Sequence, residues 1–297
     1  MSFTIDSLRE GSKNHPIAII QGLPRGSTKK YVYLDSYKPS LEDYTAHPKL
    51  DLPEDKLEDL KTAIKTGYEP NDDKLVSLYY KILATLKESK QRLVIRQGKL
   101  FPLPNPSKAE RVYVCGISGS GKSHFSAEYI KQYLKINKGN DFLLTSQIDC
   151  DDVLDKLEPN RITPEEVMEE GVDLDDIKDS IWCWDDIFSY PTKTGRTELI
   201  QILDNLCETS RHTNTSLVIT SHLISNGVVS RRVLNETTKL VMFIKSNAKN
   251  IYYYLENYEK WDKDSIKRLL NLNSRWVMLD KQNGIPIVLY ERGAYIV

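Results

Sequence analysis

The sequence predicts an α/β fold, in which helices cover both faces of a mainly parallel central sheet and a small α+β unit precedes it. After about residue 106, short apolar runs alternate with helical patterns, which favours parallel strands joined by crossover helices. Before residue 92 two β-like runs are followed by two helical signals in a row. We therefore divide the chain into an N-terminal α+β extension, 1–91, and an α/β domain, 92–297.

The composition is that of an ordinary globular protein. The chain has 297 residues, of which 40% are hydrophobic and 28% charged, so it can bury a sizeable core. No apolar run approaches the ~20 residues of a membrane span, and residues 1–13 lack the apolar centre of a signal peptide. A net charge of −1 gives no general affinity for nucleic acid. We expect an intracellular protein that is not secreted and has no membrane span.

The extension combines strand and helix patterns. Residues 16–20 and 31–34 are β-like, with turn-forming residues between them, and helical spacing of apolar residues follows over 57–64 and 75–86. The two helices are expected to pack on each other or on the following domain. Residues 92–96 and 99–103 read as short strands, and a proline-rich connection closes the region. The strands expected in the second domain are 111–115, 142–145, 181–184, 217–220 and 240–244.

A glycine-rich loop carries the most specific chemical signal. It matches G-x-x-x-x-G-K-[ST] in full and lies between an apolar strand and a helix, which is the context that a phosphate-binding P-loop requires. Glycines let the backbone N–H groups approach phosphate oxygens at the positive end of a helix. The loop consists of Gly116, Ile117, Ser118, Gly119, Ser120, Gly121, Lys122 and Ser123.

The loop predicts a three-layer P-loop NTPase that binds ATP and Mg²⁺. Lys122 is expected to reach the β- and γ-phosphates, and the Ser123 hydroxyl to coordinate Mg²⁺. Hydrolysis also needs a carboxylate for the metal and one that orients the attacking water. The apolar run 181–184 ends in two acids, so we assign Asp185 to Mg²⁺ and Asp186 to the water.

A second set of polar residues follows the fourth strand. Ligands in parallel sheets lie beyond the carboxyl ends of the strands, so Thr220, Ser221 and His222 are expected near the loop, where one of them can sense the γ-phosphate. A structural role for the histidine is an equally open alternative.

Arg211 is the candidate for stabilising charge on the transferring phosphoryl group. It can instead simply end the preceding helix by pairing with its last carbonyl groups. Arg196, Arg231 and Arg232 are rivals for the same role. The acidic segment 149–179 is interpreted as solvated helix surface rather than a second metal site, because Thr163 to Glu166 form a helix-start signature.

Taken together, several motifs resemble the packaging ATPases of nucleocytoplasmic large DNA viruses, which belong to the HerA/FtsK-type superfamily. The resemblance covers about residues 92–297, and its motifs are GISGSGKS, WCWDD, SRHTNTS with ITSH, and the ending SRWV through VLYE. It implies that the Thr220 strand lies between the loop strand and the Asp185 strand. It also implies a homo-oligomeric ring that acts on double-stranded DNA, with Arg211 acting on the neighbouring subunit and His222 where many relatives carry a polar sensor.

The function that the sequence favours is therefore an ATP-driven motor that packages viral DNA. Its expected partners are double-stranded DNA and capsid or portal-like proteins, in the host cytoplasm, a viral factory or the virion. Two alternatives stay open. An ATPase of virion morphogenesis or secretion would share every ATP-site residue, and a small-molecule or nucleotide kinase would share the loop but need an acceptor pocket and an arginine-bearing lid.

Overall fold

The computed structural model describes residues 1–9, 12, 14–36, 52–225, 230–282 and 284–297. Over those residues no helix is long and apolar enough to cross a membrane. In chain order the elements are β1 (Ser2–Asp6), β2 (Ala18–Gln21), β3 (Lys30–Asp35), α1 (Glu54–Thr66), α2 (Asp73–Lys90), β4 (Arg92–Val94), β5 (Lys99–Pro102), β6 (Arg111–Cys115), α3 (Lys122–Ile136), β7 (Asp141–Ser146), β8 (Asn160–Arg161), α4 (Pro164–Glu170), β9 (Ser180–Asp185), α5 (Lys193–Thr209), β10 (Ser216–Ser221), α6 (Arg231–Glu236), β11 (Lys239–Met242), α7 (Ala248–Asn257), α8 (Lys263–Leu270), β12 (Val277–Asp280), β13 (Ile287–Tyr290) and β14 (Gly293–Ile296).

A ten-stranded sheet forms the centre of the protein, in the order β4-β14-β13-β12-β11-β6-β10-β9-β7-β8. The strands from β11 to β8 are parallel to one another, and those from β4 to β12 extend the sheet in antiparallel fashion. The predicted α/β fold with a mainly parallel sheet is confirmed. The strand that carries Thr220, β10, lies between β6 and β9, as the family resemblance implied.

Helices cover both faces of this sheet. Successive residues of a strand point to opposite faces, and Val112 and Val114 pack in one apolar cluster with Phe125 of α3. Tyr113 packs in the other, together with Leu199 of α5. Because both faces are buried, the central strands are continuous apolar runs rather than alternating ones. This is why the strands of the parallel half could be read from the sequence.

A second, four-stranded antiparallel sheet has the order β1-β3-β2-β5. Its last strand, β5, comes from the region assigned to the α/β domain, whereas β4, only a few residues earlier, forms the edge of the central sheet. Gly98, with φ +76°, lies in the turn between the two strands, and a Cβ there would come within 2.5 Å of the Gln21 carbonyl oxygen. The two sheets are therefore tied together across the predicted boundary, and the division after residue 91 stays a prediction.

The two predicted helices of the extension are confirmed as α1 and α2. They contact each other through an apolar cluster of their own, which contains Leu60, Ile64, Leu75 and Tyr79. Gly67 ends α1 in the left-handed conformation, at φ 80°. Of the two packing arrangements that the sequence left open, the helices adopt the first.

A buried ion pair lies at the amino-terminal edge of the parallel strands. Lys239 Nζ, at the start of β11, is 2.7 Å from Glu110 Oε1, just before β6. The same ammonium donates to the Leu103 carbonyl at 2.8 Å and to the Tyr129 hydroxyl at 3.1 Å. Tyr129 in turn donates to Glu110. This cluster is at the opposite edge of the sheet from the glycine-rich loop.

Candidate active site

The glycine-rich loop joins β6 to α3, as predicted. Gly121 is the residue before the helix and has φ 109°, which side chains other than glycine rarely adopt. At Gly116 a Cβ would lie 2.6 Å from Ser120 Oγ and 2.9 Å from Phe243 Cβ, so this glycine is required by close packing. The loop is therefore fixed between β6 and the residue that follows β11.

The start of α3 has no side-chain cap, a feature that it shares with α1 and α7 but not with four other helices. Asp72, Thr163, Thr192 and Asp262 accept hydrogen bonds from the first-turn N–H groups of α2, α4, α5 and α8. Gly121 has no side chain to do so. The first-turn N–H groups of α3 are thus left to bind an anion, which the helix dipole also favours.

Lys122 bends back over the loop that precedes it. Its Nζ donates to the Gly116 carbonyl at 3.0 Å and lies 3.7 Å from Asp186 Oδ2. The side chain is 8% exposed. A buried ammonium above free backbone N–H groups is the arrangement that a polyphosphate requires.

Asp185 ends β9 and is held by hydroxyl groups from both neighbouring strands. Thr220 Oγ1, from β10, donates to Asp185 Oδ1 at 2.7 Å, and Ser146 Oγ, from β7, donates to Asp185 Oδ2 at 3.3 Å. Burial raises the pKa of this carboxyl, and the charge of Asp186 adds to the increase, whereas the Thr220 hydroxyl opposes it. A cation bound next to Asp185 would stabilise the charged form of this carboxyl group.

Asp186 has a left-handed backbone, at φ 50°, which turns its side chain out of the strand direction. Its N–H donates to Thr220 Oγ1 at 3.0 Å, and its carbonyl accepts from Gln147 Nε2 at 2.8 Å. The carboxylate lies 3.2 Å from His222 Nε2 through Oδ2. Its other oxygen, Oδ1, is buried and has no hydrogen-bond partner among the residues that the structure describes.

The three polar residues at the end of β10 have different contacts. Thr220 joins the two acids through a single hydroxyl group. The Ser221 carbonyl accepts from the Gly116 N–H at 3.0 Å and so fixes the beginning of the loop. His222 is the one whose side chain faces Asp186, and it is 41% exposed.

Arg211 is not close to the loop of its own chain. It lies in the turn before β10, where Asn214 Nδ2 donates to Asp179 Oδ1, just before β9. Both strands begin there, so Arg211 lies at the amino-terminal edge, about 20 Å from the loop by the length of β10. The side chain is exposed. The structure thus brings together Lys122, Asp185, Asp186 and His222 at the carboxyl ends of the parallel strands. Arg211 lies at the opposite, amino-terminal ends of these strands.

The rival arginines have different surroundings. Arg196 is in the first turn of α5, and its Nε is buried without a hydrogen-bond partner in the described part of the chain. The Arg231 guanidinium lies over the Tyr258 ring, 5.8 Å from its centre. Arg232 and Asp204 are close enough for the arginine to lower the pKa of that buried carboxyl, although burial raises it more. None of these contacts involves the loop.

Sequence reasoning missed three residues of the site. Ser146 could have been found, because it follows the predicted strand 142–145 just as Thr220 ends its own. Gln147 comes next in the chain. Arg275 belongs to the quoted SRWV motif but had no role. Its Nη2 lies 3.4 Å from the position that a Cβ on Gly121 would occupy.

The donor set fits ATP with Mg²⁺. Backbone N–H groups and Lys122 suit the phosphates, and Ser123 and Asp185 carry oxygen atoms of the kind that would hold Mg²⁺. No group of three or more His, Cys, Asp or Glu side chains is placed for a metal among the described residues. The few protein oxygens are consistent with a cation that is held largely by phosphate and water.

The acidic segment 149–179 contains local hydrogen bonds and ion pairs. Asp155 pairs with Arg161 at 2.7 Å, and Thr163 and Glu166 form the predicted reciprocal cap at the start of α4. The predicted helix start is confirmed.

Comparison with known proteins shows which family the chain is related to. No protein-family model matches the sequence. The chain is 36% identical over 210 residues to the uncharacterised protein V3 of Sputnik virophage, and the match covers 70% of this chain and 85% of V3.

Two solved structures have similar folds at low identity. One is the genome packaging NTPase B204 from Sulfolobus turreted icosahedral virus 2 in complex with AMP, with 11% identity, a TM-score of 0.45 and coverage of 63% of this chain and 98% of B204. The other is the pCW3 conjugation coupling protein TcpA, with 14% identity, a TM-score of 0.42 and coverage of 94% and 76%. Both are too distant to transfer a function.

Proposed function

The chain belongs to the family of protein V3 of Sputnik virophage, which is itself uncharacterised, so we propose a function from the chain's own residues. We propose that the protein is an ATPase that uses ATP hydrolysis to translocate double-stranded DNA during viral genome packaging. One observation carries the ATPase part. Lys122 and Asp186 approach to 3.7 Å beside an uncapped helix start, and the second Asp186 oxygen is buried without a partner among the described residues. Such a set needs a ligand to complete it.

The loop and Lys122 bind the triphosphate. Lys122 Nζ exchanges its contact with the Gly116 carbonyl for phosphate oxygens, so its charge stays satisfied. Ser123 and Asp185 would hold Mg²⁺, directly or through water, and the cation would neutralise phosphate charge. Thr220 and Ser146 fix the orientation of the Asp185 carboxylate.

Asp186 orients the attacking water. Its carboxylate accepts a hydrogen bond from the water, whose oxygen attacks the γ-phosphorus while the bond to the bridging oxygen breaks and ADP leaves. Lys122 offsets the negative charge on the phosphoryl oxygens. His222 supports Asp186 from the solvent side, at 3.2 Å. The Thr220 hydroxyl couples the two acids, because it donates to one and accepts from the backbone N–H of the other.

Arg211 acts on the site of a neighbouring subunit in a homo-oligomeric ring. Its exposed position at the amino-terminal edge excludes contact with the loop of the same chain, given the ~20 Å length of β10. A head-to-tail ring places one face of each subunit against the other face of the next, so such an arginine can reach the neighbouring loop. Arg196 remains the rival, since it has a buried nitrogen without a partner among the described residues.

The proposal that the substrate is DNA rests on the motifs that resemble packaging ATPases. Capsid or portal-like proteins are the further partners that we propose, in an infected cell or in the virion. An ATPase of virion morphogenesis or secretion would use the same site and differ in its partner. A kinase reading would require an acceptor pocket beside the γ-phosphate.

Steady-state ATP hydrolysis with and without double-stranded DNA, over a range of protein concentrations, tests the proposal. We expect turnover that rises with protein concentration and is stimulated by DNA, and Lys122→Ala should abolish it. If DNA does not change the turnover, the proposed ATPase activity stands but the proposed action on DNA is wrong. No turnover under any condition, with ATP bound, would overturn the ATPase itself.

Mixing two inactive variants tests the ring. Arg211→Ala keeps an intact loop and Lys122→Ala keeps an intact arginine, so mixed rings regain sites with both. For one arginine per interface, an equal mixture should recover about a quarter of wild-type turnover. Arg25→Ala, in an exposed turn between β2 and β3, is the matched control and should be fully active alone. If the mixture stays inactive, Arg211 has a structural role.

A further inference from the structure

A pocket of about 150 Å³ lies beside the start of α3, on the β11 side of the loop. Phe243, which follows β11, forms its floor, and Gly121 and His124 form the wall from the loop and helix. Arg275, Trp276 and Glu291 close it from the antiparallel half of the sheet. The acids and His222 lie on the other side of the loop, because they follow β9 and β10.

The backbone around Arg275 is held firmly by the neighbouring turn. Its N–H donates to Glu291 Oε2 at 2.9 Å. Ser274 Oγ accepts from the Glu291 N–H at 3.1 Å and donates to the Trp276 carbonyl at 2.6 Å. Lys99, from β5, holds the second Glu291 oxygen at 2.7 Å.

The guanidinium of Arg275 has no such attachment. It forms no hydrogen bond or ion pair with any residue that the structure describes, and the side chain is exposed, but its charge does interact with the Glu291 carboxylate. Yet Nη2 comes within 3.4 Å of the position of a Cβ on Gly121, the residue just before α3. A fixed backbone thus presents a planar cation without direct hydrogen bonds next to the glycine-rich loop, where such a group can contact a ligand.

We propose that this pocket binds the nucleoside half of the nucleotide, with the Arg275 guanidinium against the base and ribose. The inference rests on the proposed ATPase function. Once the loop holds the phosphates, the side towards β10 is filled by Lys122, Asp186 and His222, so the nucleoside extends towards Phe243 and Arg275. An aromatic floor with a planar cation and an imidazole at the rim suits a flat heterocycle with polar edges. The SRWV motif thereby gains a function.

Binding of ATP and of inorganic tripolyphosphate, both with Mg²⁺, tests this assignment in calorimetric titrations. Arg275→Ala should weaken ATP binding on the order of ten-fold and leave tripolyphosphate binding unchanged, because only ATP has a nucleoside. Equal weakening of both ligands would overturn the proposal and make Arg275 a phosphate ligand. Unchanged binding of both would also overturn it. Arg25→Ala is the control and should bind both ligands as the wild type does.

A second variant tests the same pocket in case Arg275→Ala does not fold. His124→Ala changes an exposed residue on the opposite wall of the pocket, and it should weaken ATP binding selectively, although less than Arg275→Ala. A His124→Ala protein that binds ATP as tightly as the wild type would contradict the pocket assignment. Wild-type protein that binds neither ATP nor tripolyphosphate would refute the proposed function itself, which separates the two failures.

Discussion

A lysine and an acidic side chain lie close together at each of the two ends of the parallel strands, the amino-terminal edge and the carboxyl-terminal edge. The two edges differ in the partners that these charged groups have. At the amino-terminal edge Lys239 and Glu110 are 2.7 Å apart, and Lys239 has two further acceptors within 3.1 Å. At the carboxyl-terminal edge Lys122 and Asp186 are 3.7 Å apart, and one Asp186 oxygen has no partner among the described residues. Each edge pairs a lysine with an acidic side chain. Glu110 Oε1 also lacks a hydrogen bond of good geometry among the described residues, but the Lys239 ammonium lies against it at 2.7 Å, whereas Asp186 Oδ1 has no described partner.

The acids at the two edges also respond differently to their neighbours. Burial raises the pKa of Glu110, and the adjacent Lys239 charge opposes that rise. Burial raises the pKa of Asp185 as well, but Asp186 adds to the rise and only hydroxyl groups oppose it. The amino-terminal edge supplies its own counter-charge. At the carboxyl-terminal edge the Lys122 ammonium lies 3.7 Å from Asp186, and no cationic side chain contacts Asp185 among the described residues.

Asp186→Asn should have the largest effect of the substitutions that probe this contrast. Asparagine tolerates the left-handed backbone at φ 50° and keeps the shape of the side chain, but it cannot carry the charge that polarises water. We expect turnover to fall by roughly 10²- to 10⁴-fold while ATP still binds. Single-turnover hydrolysis with a parallel binding titration measures both quantities. Normal hydrolysis would show that another group orients the water.

Lys239→Met should chiefly affect folding. It removes the counter-charge of a buried carboxyl group, so the free energy of unfolding should fall by about 3–5 kcal/mol. Urea denaturation gives this value. The double variant Glu110→Gln with Lys239→Met should regain most of the loss, because no unpaired charge remains. ATP affinity at low temperature should stay at the wild-type value in both, and a large loss of affinity would mean that the two edges are coupled.

Local sequence signals predicted much of the parallel half and the centre of the site. The loop and the two acids directly follow short apolar strands, so their placement could be predicted from neighbouring residues, whereas their chemical roles stay predictions. The order of strands was not readable in this way. The position of β10 came from the family resemblance, because periodicity says which residues form a strand but not which strand lies beside it.

The parts that the sequence did not predict depend on contacts between distant residues. β5 joins the small sheet because of a sharp turn at Gly98 and pairing with β2, which is about eighty residues earlier. Arg275 reaches Gly121 from the opposite half of the chain. Arg211 was expected to serve an ATP site, but only the fold shows that it lies on the far edge from its own loop.

Asp185→Asn should stabilise the protein when nucleotide and Mg²⁺ are left out. The pKa of Asp185 is raised above 3.8, so the folded state holds its proton more tightly than the unfolded state does. Stability from this group is present at low pH and is lost as the pH rises from 3.8 through the raised value. Near neutral pH asparagine avoids that loss, and we expect a gain of about 1 kcal/mol, or about 2–4 °C in Tm. Thermal melts between pH 4 and 8 should show the two proteins converging at the acid end. A variant that melts lower than the wild type at neutral pH would contradict the buried-charge account.

His222 should have the smallest effect, because its 3.2 Å contact with Asp186 is partly solvated and the ring is 41% exposed. His222→Ala should lower turnover about five-fold, in line with the loss of roughly 1 kcal/mol for a hydrogen bond to a charged group that water screens. His222→Gln keeps a donor that can reach the same carboxylate, so its turnover should stay within about two-fold of the wild type. Steady-state rates at saturating ATP separate the two variants. If His222→Ala lowered turnover as much as Asp186→Asn does, His222 would have to contact the phosphoryl group itself. The histidine would then belong, with Lys122 and Asp186, to the groups that the ligand contacts directly.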